Sequence, residues 1–237
     1  MRKIKGVLFD KDGTLINFEQ TWVPTYQAAA LTLSNGNPKL AKDILHGSGL
    51  HKDNTTFIAG STLAAGTNNE IAKLWSRFLP HYTQADLKKE IDSLLEEGAV
   101  TNAVEIADTE NFFLYLSSLG LKLGVATNDS ENSAVQTMTS LLGTAKVDFV
   151  AGFDSGYGGK PGPGMFTAFC KTVKINPQEV AVVGDNPQDL EMGRRGGAGQ
   201  LIGVLSGNSS LIELEAYADN IIDDINSLES ILNGFQK

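Results

Sequence analysis

Val7-Leu8-Phe9-Asp10-Lys11-Asp12-Gly13-Thr14-Leu15 is the run on which the reading of this chain turns. Val7, Leu8 and Phe9 are β-formers and predict the end of a buried strand. Two carboxylates follow with one residue between them, and then glycine. In extended backbone, side chains at i and i+2 point the same way, so Asp10 and Asp12 can reach one ligand. Gly13 permits a sharp turn through conformations closed to other residues, and Thr14 adds a hydroxyl and an amide able to face an anion. Paired carboxylates at a strand end suit metal binding, or a nucleophile beside a proton carrier. An exposed acidic turn would use the same residues, since Asp and Gly are common in turns. The surrounding chain has to decide between these.

With 237 residues, the chain has room for one large domain or for a core with a smaller insert. A hydrophobic content of 41% is enough to build a core. The formal charge of −9 argues against nucleic acid or an anionic membrane as the main partner. It also means that attraction for an anionic substrate must be local, from a cation, a lysine or a helix N-terminus. Cys170, the single cysteine, lies in an apolar run and reads as a small core residue. The basic opening Met1-Arg2-Lys3-Ile4-Lys5 leads straight into the first strand and has no signal-peptide pattern. No run of about eighteen apolar residues is present, so a soluble cytoplasmic protein is expected. Nothing in the sequence sets the oligomeric state.

Outward from the opening strand, the apolar spacing predicts helices over 21–33, 38–45, 68–79 and 83–97, the last capped by Thr83 with Asp86. Residues 51–66 are polar and without period. Around Gly98 the pattern changes. A helix is predicted over 104–119, a strand over 121–126, a helix over 130–142 and an extended segment over 147–151. A helix over 162–173, a strand over 180–183, a helix over 187–194, an extended segment over 201–205 and two further short elements complete the chain. Such alternation indicates a parallel sheet with helices on both faces. The first strand belongs to it, because a lone strand cannot stand by itself. The expected fold class is therefore α/β, a Rossmann-like core of residues 1–16 and 98–237 interrupted by a smaller all-helical domain of residues 17–97.

In open parallel sheets, ligands sit beyond the carboxyl ends of the strands. Asp10 and Asp12 follow the first strand. Thr127-Asn128-Asp129 follows the second, where a hydroxyl meets the start of a helix; simple helix capping would also use these residues. Lys160 is presented between glycines and prolines in Gly158-Gly159-Lys160-Pro161-Gly162-Pro163-Gly164. Gly184-Asp185-Asn186-Pro187-Gln188-Asp189 again ends an apolar strand in an acid, with Pro187 and Asp189 suited to a first helical turn. Carboxylates gathered in this way repel unless a cation neutralises them. A hard divalent ion with oxygen ligands fits best, and Mg²⁺ typically takes a few carboxylates together with substrate phosphate. Cation, lysine and helix N-terminus then provide the local field that phosphoryl transfer requires.

On these motifs, taken in this order, the sequence resembles the haloacid dehalogenase-like hydrolase superfamily on its phosphatase side. The resemblance implies Asp10 as nucleophile, forming an aspartyl-phosphate, and Asp12 as general acid and then base. It implies that Thr127 and Lys160, with Asn128 beside them, hold the phosphoryl oxygens. Asp10, the backbone carbonyl of Asp12 and Asp185 would bind Mg²⁺, with Asp189 in support. Members that cleave carbon–halogen or carbon–phosphorus bonds characteristically lack an acid at the position of Asp12. The helical segment resembles the cap of the phosphoglycolate phosphatase and phosphoglucomutase branch, although Ile16-Asn17-Phe18 stands where many relatives carry Asp-Ser. The expected function is hydrolysis of a small phosphorylated metabolite, phosphoglycolate among the candidates. The rival expectations are a sugar phosphomutase and a non-catalytic phospholigand sensor. In the helical segment, His46, His51, Lys52, Arg77 and the small polar runs 60–62 and 65–68 are candidates for meeting a substrate, each equally at home in an ordinary loop.

Overall fold

The computed structural model describes residues 3–58 and 60–235. The strand predicted at the start is β1 (Gly6–Phe9). It is followed by α1 (Phe18–Leu33), α2 (Pro38–Ser48), α3 (Thr62–Ala65), α4 (Asn68–Trp75), α5 (Gln84–Thr101) and α6 (Thr109–Ser118). The alternating part then runs β2 (Lys122–Ala126), α7 (Glu131–Leu142), β3 (Phe149–Ala151), α8 (Gly164–Val173), β4 (Val180–Gly184) and α9 (Pro187–Gly196). It ends with β5 (Gln200–Val204), α10 (Leu211–Glu215), β6 (Asn220–Ile222) and α11 (Leu228–Phe235). The chain divides into two compact units, one made of the chain up to Phe18 and from Glu105 onward, the other of Glu19–Val104.

The first unit is an α/β fold around a six-stranded sheet of order β3-β2-β1-β4-β5-β6, with every pairing parallel. Both faces are covered, which is why the strands read as continuous apolar runs. Val7 and Phe9 of β1 face a cluster with Phe113 and Leu116 of α6, Met138 and Leu142 of α7, and Leu228 of α11. Leu8 faces the opposite cluster, with Met165, Phe166 and Phe169 of α8, Leu190 of α9 and Leu214 of α10. Phe9 and Phe113 stack with centroids 5.5 Å apart, and truncating either ring would cost about 3–5 kcal/mol. Gly124 in β2 gives room to Phe169, since a methyl there would come within 2.7 Å of the ring.

The chain leaves and rejoins this unit side by side. Ile16 forms an antiparallel bridge with Glu105, and the Ile106 amide donates to the Leu15 carbonyl at 3.0 Å. The turn between Lys11 and Ile16 is closed by Gly13 N–H donating to the Ile16 carbonyl at 2.7 Å and by Ile16 N–H donating to the Lys11 carbonyl at 3.1 Å.

The second unit is helical. Asn37 caps α2 and Gly49, at φ 113°, ends it in the left-handed region that glycine enters freely. Thr83 caps α5 as predicted, accepting from Asp86 N–H. Gly98 does not end α5, which continues to Thr101. Its role is close packing, because a methyl there would lie 2.4 Å from a Thr25 methyl. Other boundaries also shift. The helix expected over 104–119 starts only at Thr109, because Asp108 caps it by accepting from Asn111 N–H at 3.1 Å. The C-terminal stretch contains β6 as well as α10 and α11.

Candidate active site

Four chain segments deliver the polar residues to one end of the sheet. Asp10 continues β1, its N–H donating to the Val183 carbonyl at 2.8 Å in the manner of the parallel ladder. Thr127 continues β2, bonded to the Ala151 carbonyl at 3.0 Å. Asp185 follows β4, and Asp189 lies in the first turn of α9, where its Oδ2 accepts the Asn186 N–H at 3.0 Å. Lys160 arrives on the loop between β3 and α8. All of these side chains are buried. The strand order places the switch in winding direction beside β1, the position at which doubly wound sheets bind ligands.

Lys160 is the hub of one cluster. Its Nζ donates to Asp10 Oδ1 and, at 2.6 Å, to Asp189 Oδ1. Burial disfavours the ammonium, but Asp10 and Asp189 outweigh it and hold the lysine pKa above its ordinary value. Asp10 is pushed up to about 6 by burial, with Asp189 adding to the rise and Lys160 opposing it. Burial also raises Asp185 well above the usual carboxylate range, with Asp10 and Asp189 contributing. Asp10, Asp185 and Asp189 each present an oxygen within 4.8 Å of the others. Asp10 Oδ2, fully enclosed, has no hydrogen-bond partner. A buried carboxylate oxygen left this way is costly, and hard oxygen donors at this spacing fit a divalent cation such as Mg²⁺.

Asp185 sits between two glycines. A methyl at Gly13 would lie 2.7 Å from its carboxyl carbon, and one at Gly207 would lie 1.9 Å from Oδ2. The Asn208 N–H donates to Oδ2 at 3.0 Å, and Ser206 Oγ donates to the Gly13 carbonyl at 2.8 Å. The loop 206–208 after β5 therefore braces both the motif turn and Asp185, and it was missed in the sequence. Its only signal there is a Ser-Gly-Asn after an apolar strand, which any turn could show.

Asp12 belongs to a second cluster. Thr127 Oγ1 lies 3.4 Å from Asp12 Oδ2, and Lys11 Nζ lies 3.1 Å from Oδ1 and 3.0 Å from Oδ2. Lys11, to which the sequence assigned no task, is completely buried and also bonds Asp129 at 3.0 Å. Asn128 does not present a free amide for a substrate. Its Oδ1 accepts the Lys160 N–H at 2.8 Å and its Nδ2 donates to the Lys160 carbonyl at 3.3 Å, a two-point grip on the lysine's backbone. The Thr14 amide is turned back on the Lys11 carbonyl at 3.4 Å rather than offered to an anion.

In the helical unit, the small polar candidates are largely used locally. Ser61 and Thr67 cap α3 and α4, Asn68 donates to Asp92 at 2.9 Å, His46 pairs with Asn54 at 3.0 Å and His51 with Asp53 at 3.1 Å.

The family model for haloacid dehalogenase-like hydrolases matches residues 4–197, most of the chain and every motif named above. The chain belongs to this family. It is similar to the pyrophosphatase PpaX of Listeria welshimeri, 26% identical over 194 residues that cover 81% of this chain and 79% of that protein. It is similar also to the N-acetylmuramic acid 6-phosphate phosphatase of Pseudomonas aeruginosa, 27% identical over 199 residues, 82% of this chain and 79% of that one. A provisionally assigned β-phosphoglucomutase from Thermotoga maritima superposes with a TM-score of 0.71 at 19% identity, over 98% of this chain and 99% of that one. At that identity the likeness establishes the fold, a haloacid dehalogenase-type α/β core with a helical domain, as the sequence implied.

Among the described residues, no helix is long and apolar enough to cross a membrane.

Proposed function

We propose that this hydrolase is a Mg²⁺-dependent phosphatase acting on small phosphomonoesters through a phosphorylated Asp10. The observation that carries the reading is the unpartnered, buried Asp10 Oδ2 beside Lys160, with Asp185 and Asp189 oxygens close by. Three carboxylates against one ammonium leave surplus negative charge, which a substrate phosphate alone would only increase.

Asp10, Asp185 and the Asp12 carbonyl are the ligands proposed for Mg²⁺, with Asp189 in support through its bond to Lys160. When bound, the ion supplies positive charge against the phosphoryl oxygens. Asp10 attacks phosphorus, and the new bond to its carboxylate forms as the bond to the leaving oxygen breaks. Asp12 gives its proton to that oxygen. Water then attacks the aspartyl-phosphate, Asp12 takes the water's proton, and phosphate leaves with Asp10 restored. Thr127 and Lys160 meet the phosphoryl oxygens, and Asn128 acts by holding Lys160. The unit of residues 19–104 is proposed as the cap that reads the substrate.

A non-catalytic phospholigand sensor would need neither a nucleophile nor a proton carrier, and Asp10 and Asp12 are both intact. The test is phosphate release from a panel of phosphorylated metabolites with Mg²⁺, run by the full chain. Phosphoglycolate, N-acetylmuramic acid 6-phosphate and inorganic pyrophosphate are the first substrates to include. Turnover of at least one monoester is expected. Binding without phosphate release across the panel would favour the sensor, and conversion to an isomeric sugar phosphate would favour the mutase.

A further inference from the structure

Among the described residues, Lys11 is a completely buried charge that the scheme above does not use. An ammonium taken out of water is costly unless it is paired and hydrogen-bonded, and an apolar residue would fill such a position without that cost. The pairing is specific. Nζ lies within 3.1 Å of both oxygens of Asp12 and 3.0 Å from Asp129 Oδ2. Asp129 is itself fixed, since the same Oδ2 accepts from Ser133 Oγ at 2.6 Å and Oδ1 accepts the Ser130 N–H at 2.7 Å. That places its carboxylate at the N-terminus of α7, where a negative charge is favoured. Thr127 closes the circuit, with Oγ1 toward Asp12 Oδ2 at 3.4 Å and accepting the Asp129 N–H at 3.0 Å. The result is a chain of contacts from a helix terminus, through Asp129 and Lys11, to both oxygens of Asp12.

We propose that Lys11, anchored on Asp129, is a positioning residue that fixes the carboxylate plane of Asp12 and so aims its proton at the leaving oxygen. The proposal rests on the reading of Asp12 as proton carrier. Contact with both oxygens restricts rotation about the last side-chain bond, which a single hydrogen bond would leave free. Misaiming of about 1 Å in such a group is worth on the order of a hundredfold in rate.

The experiment is a kinetic cycle with full-length, Mg²⁺-loaded enzyme, comparing Lys11→Met, Asp12→Asn and the double variant. The substrates are p-nitrophenyl phosphate and an alkyl phosphate that the wild type hydrolyses. Lys11→Met is expected to lower kcat on the alkyl phosphate roughly tenfold to a hundredfold with KM nearly unchanged. With p-nitrophenyl phosphate, phosphorylated enzyme should accumulate, as for Asp12→Asn. In the Asp12→Asn background, Lys11→Met should change nothing further. An equal fractional loss in both backgrounds, or no loss in either, overturns the positioning role while leaving Asp12 as proton carrier. If Asp12→Asn alone hydrolyses the alkyl phosphate normally, the reading of Asp12 fails and this proposal with it. Lys11→Gln combined with Asp129→Asn, which removes both charges but keeps the hydrogen bonding, gives the same comparison should Lys11→Met not fold. Ser133→Ala, which only loosens Asp129, should show a smaller loss of the same pattern.

Discussion

Lys160 and Lys11 are both buried, and each joins aspartates delivered by separate strands or helices, yet their surroundings differ in one respect. Around Lys160 the carboxylates outnumber what it can bond. It engages Asp10 and Asp189, Asp185 adds a third carboxyl group, and one oxygen of Asp10 is left with no partner. Around Lys11 the bonding closes, since both oxygens of Asp12 and both of Asp129 are engaged. A buried charge cluster with spare acceptors is built to receive something, whereas one whose acceptors are filled is built to hold something still. On the proposed scheme Asp10 receives the phosphoryl group and Asp12 is held in orientation, although the two residues stand two positions apart in sequence.

The strongest way to break this distinction is at Asp10. Asp10→Asn should lower turnover by at least about a thousandfold and abolish phosphoryl transfer to the protein, read as the absence of the added mass after acid quenching. If the variant is still labelled, Asp10 is not the receiving group. Asp12→Asn should behave differently. Alkyl phosphate hydrolysis should fall by roughly a hundredfold or more, while p-nitrophenyl phosphate, whose leaving group needs no proton, should still phosphorylate Asp10 and leave it phosphorylated. Failure of p-nitrophenyl phosphate to label the Asp12→Asn variant would erase the division of labour.

The metal half of the comparison is sharpened at Gly207. A methyl 1.9 Å from Asp185 Oδ2 must displace that carboxylate. Gly207→Ala should therefore raise the Mg²⁺ concentration for half-maximal activity about ten- to a hundredfold, with little effect on kcat at saturation. An unchanged Mg²⁺ titration would remove Asp185 from the ligand set. The smallest effect is a pH dependence. Asp10 holds its proton up to about pH 6 when folded, against an ordinary value of 3.8. Between about pH 4 and 6 the folded chain thus binds more protons than the unfolded one, so this group's contribution to metal-free stability falls as pH rises. Mg²⁺ must displace the same proton, and its stabilisation should weaken by up to ~1.4 kcal/mol for each pH unit below 6. Melting curves with and without Mg²⁺ at pH 5 and pH 7.5 would show it as a larger shift at the higher pH. A larger shift at pH 5 would count against Asp10 as a ligand.

Much of this was legible because it is local. The strands β1, β2 and β4 are short apolar runs that end in charged or hydroxyl residues, and period and punctuation suffice to find them. Asp10, Thr127 and Asp185 follow directly from the strands they terminate, whereas Lys160 comes from a loop and Asp189 from a first helical turn. Lys11 was illegible because a lysine between two aspartates reads as a solvated turn, and only the arrival of Asp129 from beyond β2 makes it a buried hub. Nothing in the sequence neighbourhood of Asn128 reveals that the backbone of Lys160 comes to rest on its amide. Gly98 looked like a stop because glycine usually is one, and the Thr25 methyl that requires its smallness lies far away in sequence. The loop 206–208 offers only turn chemistry until Asp185 is placed against it.

The bridge between Ile16 and Glu105, with the Ile106 amide on Leu15, has a consequence for how such a chain can change over generations. The two ends of the segment between them are tied by the core's own backbone. To the sheet, everything in between has the thermodynamic standing of a surface loop, whose closure cost grows only with the logarithm of its length. Residues there can be gained, lost or exchanged without altering the register of β1 against β2 and β4. The carboxylates at the ends of β1 and β4 can stay fixed while the segment proposed to read the substrate is rewritten.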